Sequence, residues 1–118
     1  LQPGLVRFGI LLQGIVSAVL EGDQVPVRFS LDQNYPNPFN PETTIRFDLP
    51  QSQDIELAIY NLAAQRVATL AQGHREAGSD SVRWDGVTDA GLELASGVYF
   101  YRLTAGERGE TRKLLLLR

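Results

Sequence analysis

Residues 43–49, Thr43-Thr44-Ile45-Arg46-Phe47-Asp48-Leu49, alternate apolar and polar side chains without a break. Successive side chains on a strand point to opposite faces, so Ile45, Phe47 and Leu49 share one face while Arg46 and Asp48 face water. The same period recurs on either side. Ile55, Leu57 and Ile59 make the next inward row, with Glu56 opposite. Ser79 to Trp84 places Val82 and Trp84 together, Val98 to Thr104 is a long aromatic strand, and Thr111 to Leu117 closes the chain. Val67 to Leu70 reads as a short apolar strand. Turn chemistry separates the runs: Leu49-Pro50-Gln51-Ser52, Ala77-Gly78, Asp85-Gly86, Asp89-Ala90-Gly91 and Ala105-Gly106. A helical turn is expected at the start of Asn61–Gln72, too short to change the class. Six to eight short strands at this spacing predict an all-β, antiparallel β-sandwich of about seven strands. Its core should hold Ile45, Phe47, Leu57, Ile59, Val82, Trp84, Tyr99 and Tyr101.

Working outward, residues 25–118 are β-patterned throughout and form one domain. Residues 1–24 read differently. LVRFGILLQGIVSAVL (residues 5–20) is too short and too interrupted for a membrane span, which needs about 20 apolar residues. It also lacks the basic start and small-residue cleavage site of a complete signal peptide. Gln13-Gly14 divides it into two β-branched halves, an upstream linker or extra β-hairpin, with a buried helix as the competing reading. Glu21 to Gln24 marks the boundary. The chain has no methionine and starts at Leu1, so it reads as a piece of a longer polypeptide.

The 118 residues are 43% hydrophobic and 21% charged, the balance of a globular domain large enough to bury a core without disulfides or metal. There is no cysteine, which excludes thiolate zinc sites and disulfides. The net charge of −3 argues against nucleic acid as the partner. Ten of the eleven basic residues are Arg, and Lys113 is the single lysine.

Catalytic groups are sparse. His74, in Gly73-His74-Arg75-Glu76, is the one histidine, and it reads as a solvated loop residue. No serine lies in a nucleophile elbow, and the carboxylates are scattered over outward strand positions and turns. The reading is therefore of a domain that is not an enzyme and has no cofactor. Asp85-Gly86-Val87-Thr88-Asp89 resembles a calcium loop only faintly. It lacks the spacing of ligands and the final Glu, and a turn stabilised by Asp side chains accounts for it.

NYPNPFNP (residues 34–41) is the most unusual stretch. Three prolines fix φ and push their predecessors toward extended backbone. A polyproline II period of three would place Asn34, Asn37 and Asn40 on one face. The amides serve either as caps for backbone groups that proline leaves unpaired or as a rigid recognition feature. In Tyr99-Phe100-Tyr101 neighbours must face opposite ways. Arg102 shares a face with Val98 and Phe100, so Tyr99, Tyr101 and Leu103 should point inward.

Several of these residues together resemble the type A C-terminal sorting domain of the type IX secretion system. They are NYPNPFNP, Thr43 to Phe47, Leu49-Pro50, Ile59-Tyr60-Asn61, Trp84-Asp85-Gly86, Ser96 to Leu103 and Thr111 to Leu114. The WDG and GVYFYRL portions also resemble the immunoglobulin-like domain of flagellar hook-capping proteins. The resemblance covers about residues 25–118. It implies an immunoglobulin-like sandwich and a C-terminal signal that directs a larger exported protein across the outer membrane to the cell surface, by way of the periplasm. The implied partners are the outer-membrane translocon, a sortase, surface lipopolysaccharide and the covalently continuous cargo domain upstream. The implied recognition residues are Pro36, Asn37, Pro38, Gly97, Tyr99 and Lys113. One departure is Ala63-Ala64-Gln65, where the family has a glycine before the Gln. Two rival readings are a carbohydrate-binding module of a glycosidase and a structural spacer. An exposed row of Trp84, Tyr60 or Tyr35 would favour sugar binding; a buried Trp84 favours the sorting domain.

Overall fold

The computed structural model describes residues 25–118, so the expected linker or hairpin at 1–24 lies outside the described residues. Seven strands form: β1 Ser30–Leu31, β2 Thr43–Leu49, β3 Gln53–Tyr60, β4 Arg66–Arg75, β5 Gly78–Trp84, β6 Gly97–Ala105 and β7 Arg108–Leu116. They build an antiparallel sandwich with sheets ordered β1-β2-β5 and β4-β3-β6-β7. The alternation in β2 dictates its register. Ile45 pairs with Val82 and Thr43 with Trp84, so the apolar faces of both strands turn the same way. Across the layer, Leu57 pairs with Leu103 and Ile59 with Tyr101. Phe47, Ile45, Leu57, Ile59, Tyr101 and Leu103 have no solvent exposure.

Seven of the eight expected core residues are buried; Val82 is half-buried. The reason is its position. β5 is an edge strand, and its inward row stands at the flank where β4 and β5 leave the sandwich open. An ion pair between Arg75 and Asp80 bridges that flank. Charge pointing inward at a sheet edge discourages pairing with another chain. Other expectations also need correction. β4 is ten residues long rather than the short apolar run at 67–70, because β3 pairs with it along its whole length from Gln53 to Tyr60. His74 therefore sits in a strand end, not in a loop. Before β1, Val25 and Val27 are exposed and belong to no strand. Leu114 and Leu116 are buried and Leu115 is half-buried, but Leu117 is 47% exposed because the strand ends at Leu116.

The expected helical turn after β3 is instead a tight turn. Asn61 Oδ1 accepts hydrogen bonds from the amides of Ala63 and Gln65, both at 3.0 Å. Ala64 has φ of +64°, the one non-glycine residue with positive φ among those described. This is the position where the resembled family carries glycine, so the turn type is retained with alanine in a left-handed conformation. That conformation costs an L-residue about 1–2 kcal/mol, against about 0.4–1 kcal/mol of extra chain entropy that glycine loses on folding. Ala64→Gly should therefore stabilise the domain by about 0.5–1 kcal/mol, read as a higher urea midpoint at unchanged slope. An unchanged or lower midpoint would show that the turn tolerates alanine without strain.

The flank opposite the open one is closed by side chains. Arg112 Nε donates to the Leu31 carbonyl at 2.5 Å, the Leu31 amide donates to Glu110 at 3.2 Å, and Gln33 donates to the Lys113 carbonyl at 2.8 Å. Tyr101 completes the closure from inside. Its hydroxyl donates to the Asp32 carbonyl at 2.6 Å and accepts from the Asn34 amide at 2.8 Å. Burial pushes this phenol up to about 12, and the Asn34 amide offsets only part of the effect. The folded state favours the neutral form. Its contribution is full below the ordinary value of 10 and lost as pH rises through about 12. In alkaline unfolding followed by circular dichroism, stability should fall more steeply across this window in the native chain than in Tyr101→Phe. Equal slopes would assign the alkaline loss to other groups.

Candidate docking face

The two outer faces of the sandwich differ in chemistry. On the three-stranded sheet, Asp48 accepts from Ser30 at 3.1 Å and from Ser79 at 2.6 Å. Arg83 clasps both oxygens of Glu42 at 3.0 and 2.9 Å, and its hydrogen bonds hold the Glu42 carboxyl below the usual range. That face is polar and internally satisfied. On the four-stranded sheet the outward residues of β6 are Val98, Phe100 and Arg102. Register places Tyr60 and Lys113 on either side of Phe100, Leu115 beside Val98, and Thr111 beside Arg102. Val98, Phe100, Tyr60 and Leu115 are half-buried, and Leu62 is 73% exposed. An apolar strip at water on one face only is the usual mark of a docking surface.

Three concavities open along this strip. One of about 380 Å³ lies between Tyr60, Leu62, Phe100, Arg102 and Thr111. A second, about 310 Å³, runs past Leu62, Ser96, Gly97 and Val98. The third, about 230 Å³, is walled by Asn37, Pro38, Val98, Lys113 and Leu115. The face thus draws its walls from three distant parts of the sequence.

The recognition residues expected from the resemblance divide accordingly. Asn37, Pro38 and Lys113 come together in the third groove, and Gly97 lines the second. Asn37 is exposed, and its Oδ1 accepts from the Leu115 amide at 3.0 Å. Pro36 is set apart: its carbonyl accepts from Asn34 Nδ2 at 3.1 Å and Thr43 Oγ1 at 2.9 Å. Tyr99 is buried, with its hydroxyl on the Ala95 carbonyl at 2.7 Å and its ring edge-on to Trp84. It lines the second groove beside Gly97, while most of its side chain packs in the core. Asn34, Asn37 and Asn40 do not share a face, because Asn34 is buried while the other two are exposed. The stretch is held as a loop by bridges from Tyr35 to Thr44 and from Phe39 to Leu116, not extended as a polyproline helix. Tyr60, Leu62, Phe100, Arg102 and Thr111 were not singled out by sequence as one site. The available signal was Phe100, which must face outward if Tyr99 and Tyr101 face in.

Other sequence candidates resolve differently. Trp84 is buried, packs against Phe39 at 5.7 Å and donates to the Val87 carbonyl at 3.0 Å. Tyr35 is 81% exposed but bridges to the opposite sheet from Tyr60, so the described aromatics form no planar row. His74 faces Asp54 at 3.8 Å and Glu76 at 3.2 Å on the surface. Asp89 accepts from the Thr69 amide at 2.9 Å, tying its loop to β4. Among the described residues no group of three His, Asp or Glu side chains is placed to hold a metal ion.

Comparison with known proteins agrees with this architecture. Residues 23–109 match the FlgD Ig-like domain family. Among solved structures, dimeric latent PorU from Porphyromonas gingivalis superposes with a TM-score of 0.60 at 16% identity, covering 76% of this chain and 9% of that one. PorZ from the same organism, described as an essential bacterial surface component of the type-IX secretion system, gives 0.51 at 19% identity, covering 76% and 11%. FlgD from P. aeruginosa gives 0.50 at 25% identity, covering 63% and 58%. The chain therefore spans about a tenth of PorU or PorZ, and those two likenesses are of fold. No curated protein matched. Strand count, sheet order and sequence match converge on an immunoglobulin-like sandwich, and the chain belongs to the FlgD Ig-like domain family.

Proposed function

We propose that this domain is a non-catalytic C-terminal sorting module. It would direct a larger exported protein through the outer-membrane type IX translocon to the cell surface, with a sortase and surface lipopolysaccharide as further partners. The observation that carries the reading is convergence. Asn37-Pro38, Gly97-Val98 and Lys113-Leu115, far apart in sequence, meet on one outward face. The fold likeness to PorU and PorZ supports the same assignment. So does the path of the chain: Val27 lies with Pro50, Gln53 and Arg108, at the end of the sandwich away from the Asn61 turn and Gly97. Cargo joined upstream would leave the face clear. Buried Trp84 and the absence of a planar aromatic row among the described residues weigh against the carbohydrate-binding alternative.

The test is a reporter fused ahead of residues 25–118 in a host with a type IX system. The intact fusion should reach the surface. Lys113→Glu reverses an exposed charge, so thermal stability should stay within about 0.5 kcal/mol. Surface display should nevertheless fall about tenfold or more if a partner reads this face. Normal display of the folded variant would remove Lys113 from recognition, and failure of the intact fusion in its native host would overturn the sorting reading.

A further inference from the structure

The largest concavity on the docking face lies beyond the residues that the family resemblance supplied, and its chemistry specifies a ligand. Its walls are the rings of Tyr60 and Phe100 and the side chain of Leu62; its polar groups are Arg102 and Thr111. Arg102 Nη1 donates to Thr111 Oγ1 at 2.8 Å, and among the described residues Nη2 and Nε make no hydrogen bond. The guanidinium lies directly over Gly109, where a Cβ would collide with it. Two features therefore hold the cation in place before any ligand arrives, which lowers the ordering cost of binding.

The charge on this face is uncompensated. Glu56 points outward from β3 but is taken by Arg66 at 2.5 Å. Neither Arg102 nor Lys113 has a carboxylate partner among the described residues. Their rows, Arg102–Thr111 and Phe100–Lys113, are two residues apart along β6, about 7 Å. That is the repeat of same-face side chains on an extended peptide.

We propose that this concavity and the adjoining groove at Lys113 bind an extended segment of a partner protein that carries a carboxylate at every second position. Such carboxylates share one face of the segment: one seats on Arg102, and the next, about 7 Å on, meets Lys113 while its stem lies over the ring of Phe100. An anionic membrane fits less well. The site is concave, it offers Arg102 and, in the adjoining groove, Lys113, and the whole chain carries −3, which repels a negative surface. The inference does not depend on the sorting role, because it concerns binding by the isolated chain.

The experiment is fluorescence anisotropy of a labelled peptide of alternating Glu and Phe, titrated with the 118-residue chain. The matched peptide of Gln and Phe and vesicles of anionic phosphatidylglycerol are run in parallel. The Glu peptide should bind about tenfold or more tightly than the Gln peptide, and Arg102→Gln should abolish that preference. Gly109→Ala retains every charge but displaces the guanidinium, so it should weaken the Glu peptide several-fold. Circular dichroism of both variants confirms that they are folded. Equal affinity for the two peptides, no binding at millimolar concentration, or Arg102-dependent binding of vesicles alone would each overturn the proposal. None of these results bears on whether the fusion reaches the cell surface, so failure here is distinguishable from failure of the sorting reading.

Discussion

Cutting the chain after Gly109 should unfold the domain and trap a fused reporter in the periplasm. The cut removes Leu114 and Leu116, both without solvent exposure. Their burial contributes about 1.5–3 kcal/mol each. It also removes Arg112 and Glu110, which close the β1–β7 flank, and strips β7 from β6 between Gly97 and Leu103. Arg118 goes too; it donates to the carbonyls of Leu94 at 2.5 Å and Gly86 at 2.6 Å and ties down the loop before β6. Against a total stability of about 5–15 kcal/mol for a domain, these losses leave little. The exposed β6 edge, carrying Tyr99, Tyr101 and Leu103, would invite aggregation. Far-ultraviolet circular dichroism and gel filtration read the first effect; protease accessibility of the reporter on intact cells reads the second. Equal display of cut and intact fusions would defeat the sorting proposal. Lys113→Glu separates the two effects, since it leaves the strand in place.

The strands were legible in the sequence because burial on one face forces a period of two, and β2, β3 and β6 obey it. β4 was not, since its second half, Gln72 to Arg75, is held by backbone pairing with β3 and carries no apolar alternation. Val82 shows the limit of the same rule. Periodicity names the face of a strand but not whether a neighbour covers it, and at an open flank the inward face stays half wet. Asn34 is a different failure. An asparagine in a proline-rich stretch looks solvated, yet here it is buried by bonds to Thr43, Pro36 and Tyr101, partners 2 to 67 positions away that no local pattern encodes. The docking face was half legible. Motif resemblance supplied Asn37, Pro38, Gly97 and Lys113, but the cavity at Phe100 arises from the cross-strand register of Tyr60, Phe100 and Lys113, which is a property of the pairing alone.

Phe39→Ala should be among the most destabilising single substitutions, although its neighbours Pro38 and Asn40 are exposed. Within the proline-rich loop, Phe39 is the residue that plugs into the core, at 1% exposure. Its ring packs on Trp84 with centroids 5.7 Å apart. Its backbone joins β7, donating to the Leu115 carbonyl and accepting from the Leu117 amide, each at 3.0 Å. The loop therefore covers the free edge of β7 and fills the sandwich end at once. Truncating a buried phenylalanine costs about 3–5 kcal/mol, combining lost transfer energy with the cavity left behind. For a domain of this size that lowers the melting temperature by about 12–30 °C. The same change opens one side of Trp84, so its fluorescence should shift toward that of a solvated indole. Phe39→Leu refills most of the volume and should recover the larger part of the loss. A drop of under about 1 kcal/mol for the alanine variant would mean the loop is not anchored through this ring. If the loop is anchored as described, display should fall with stability for Phe39→Ala, whereas Lys113→Glu should lower display with stability intact. That contrast separates the residue that positions the docking face from one that a partner touches.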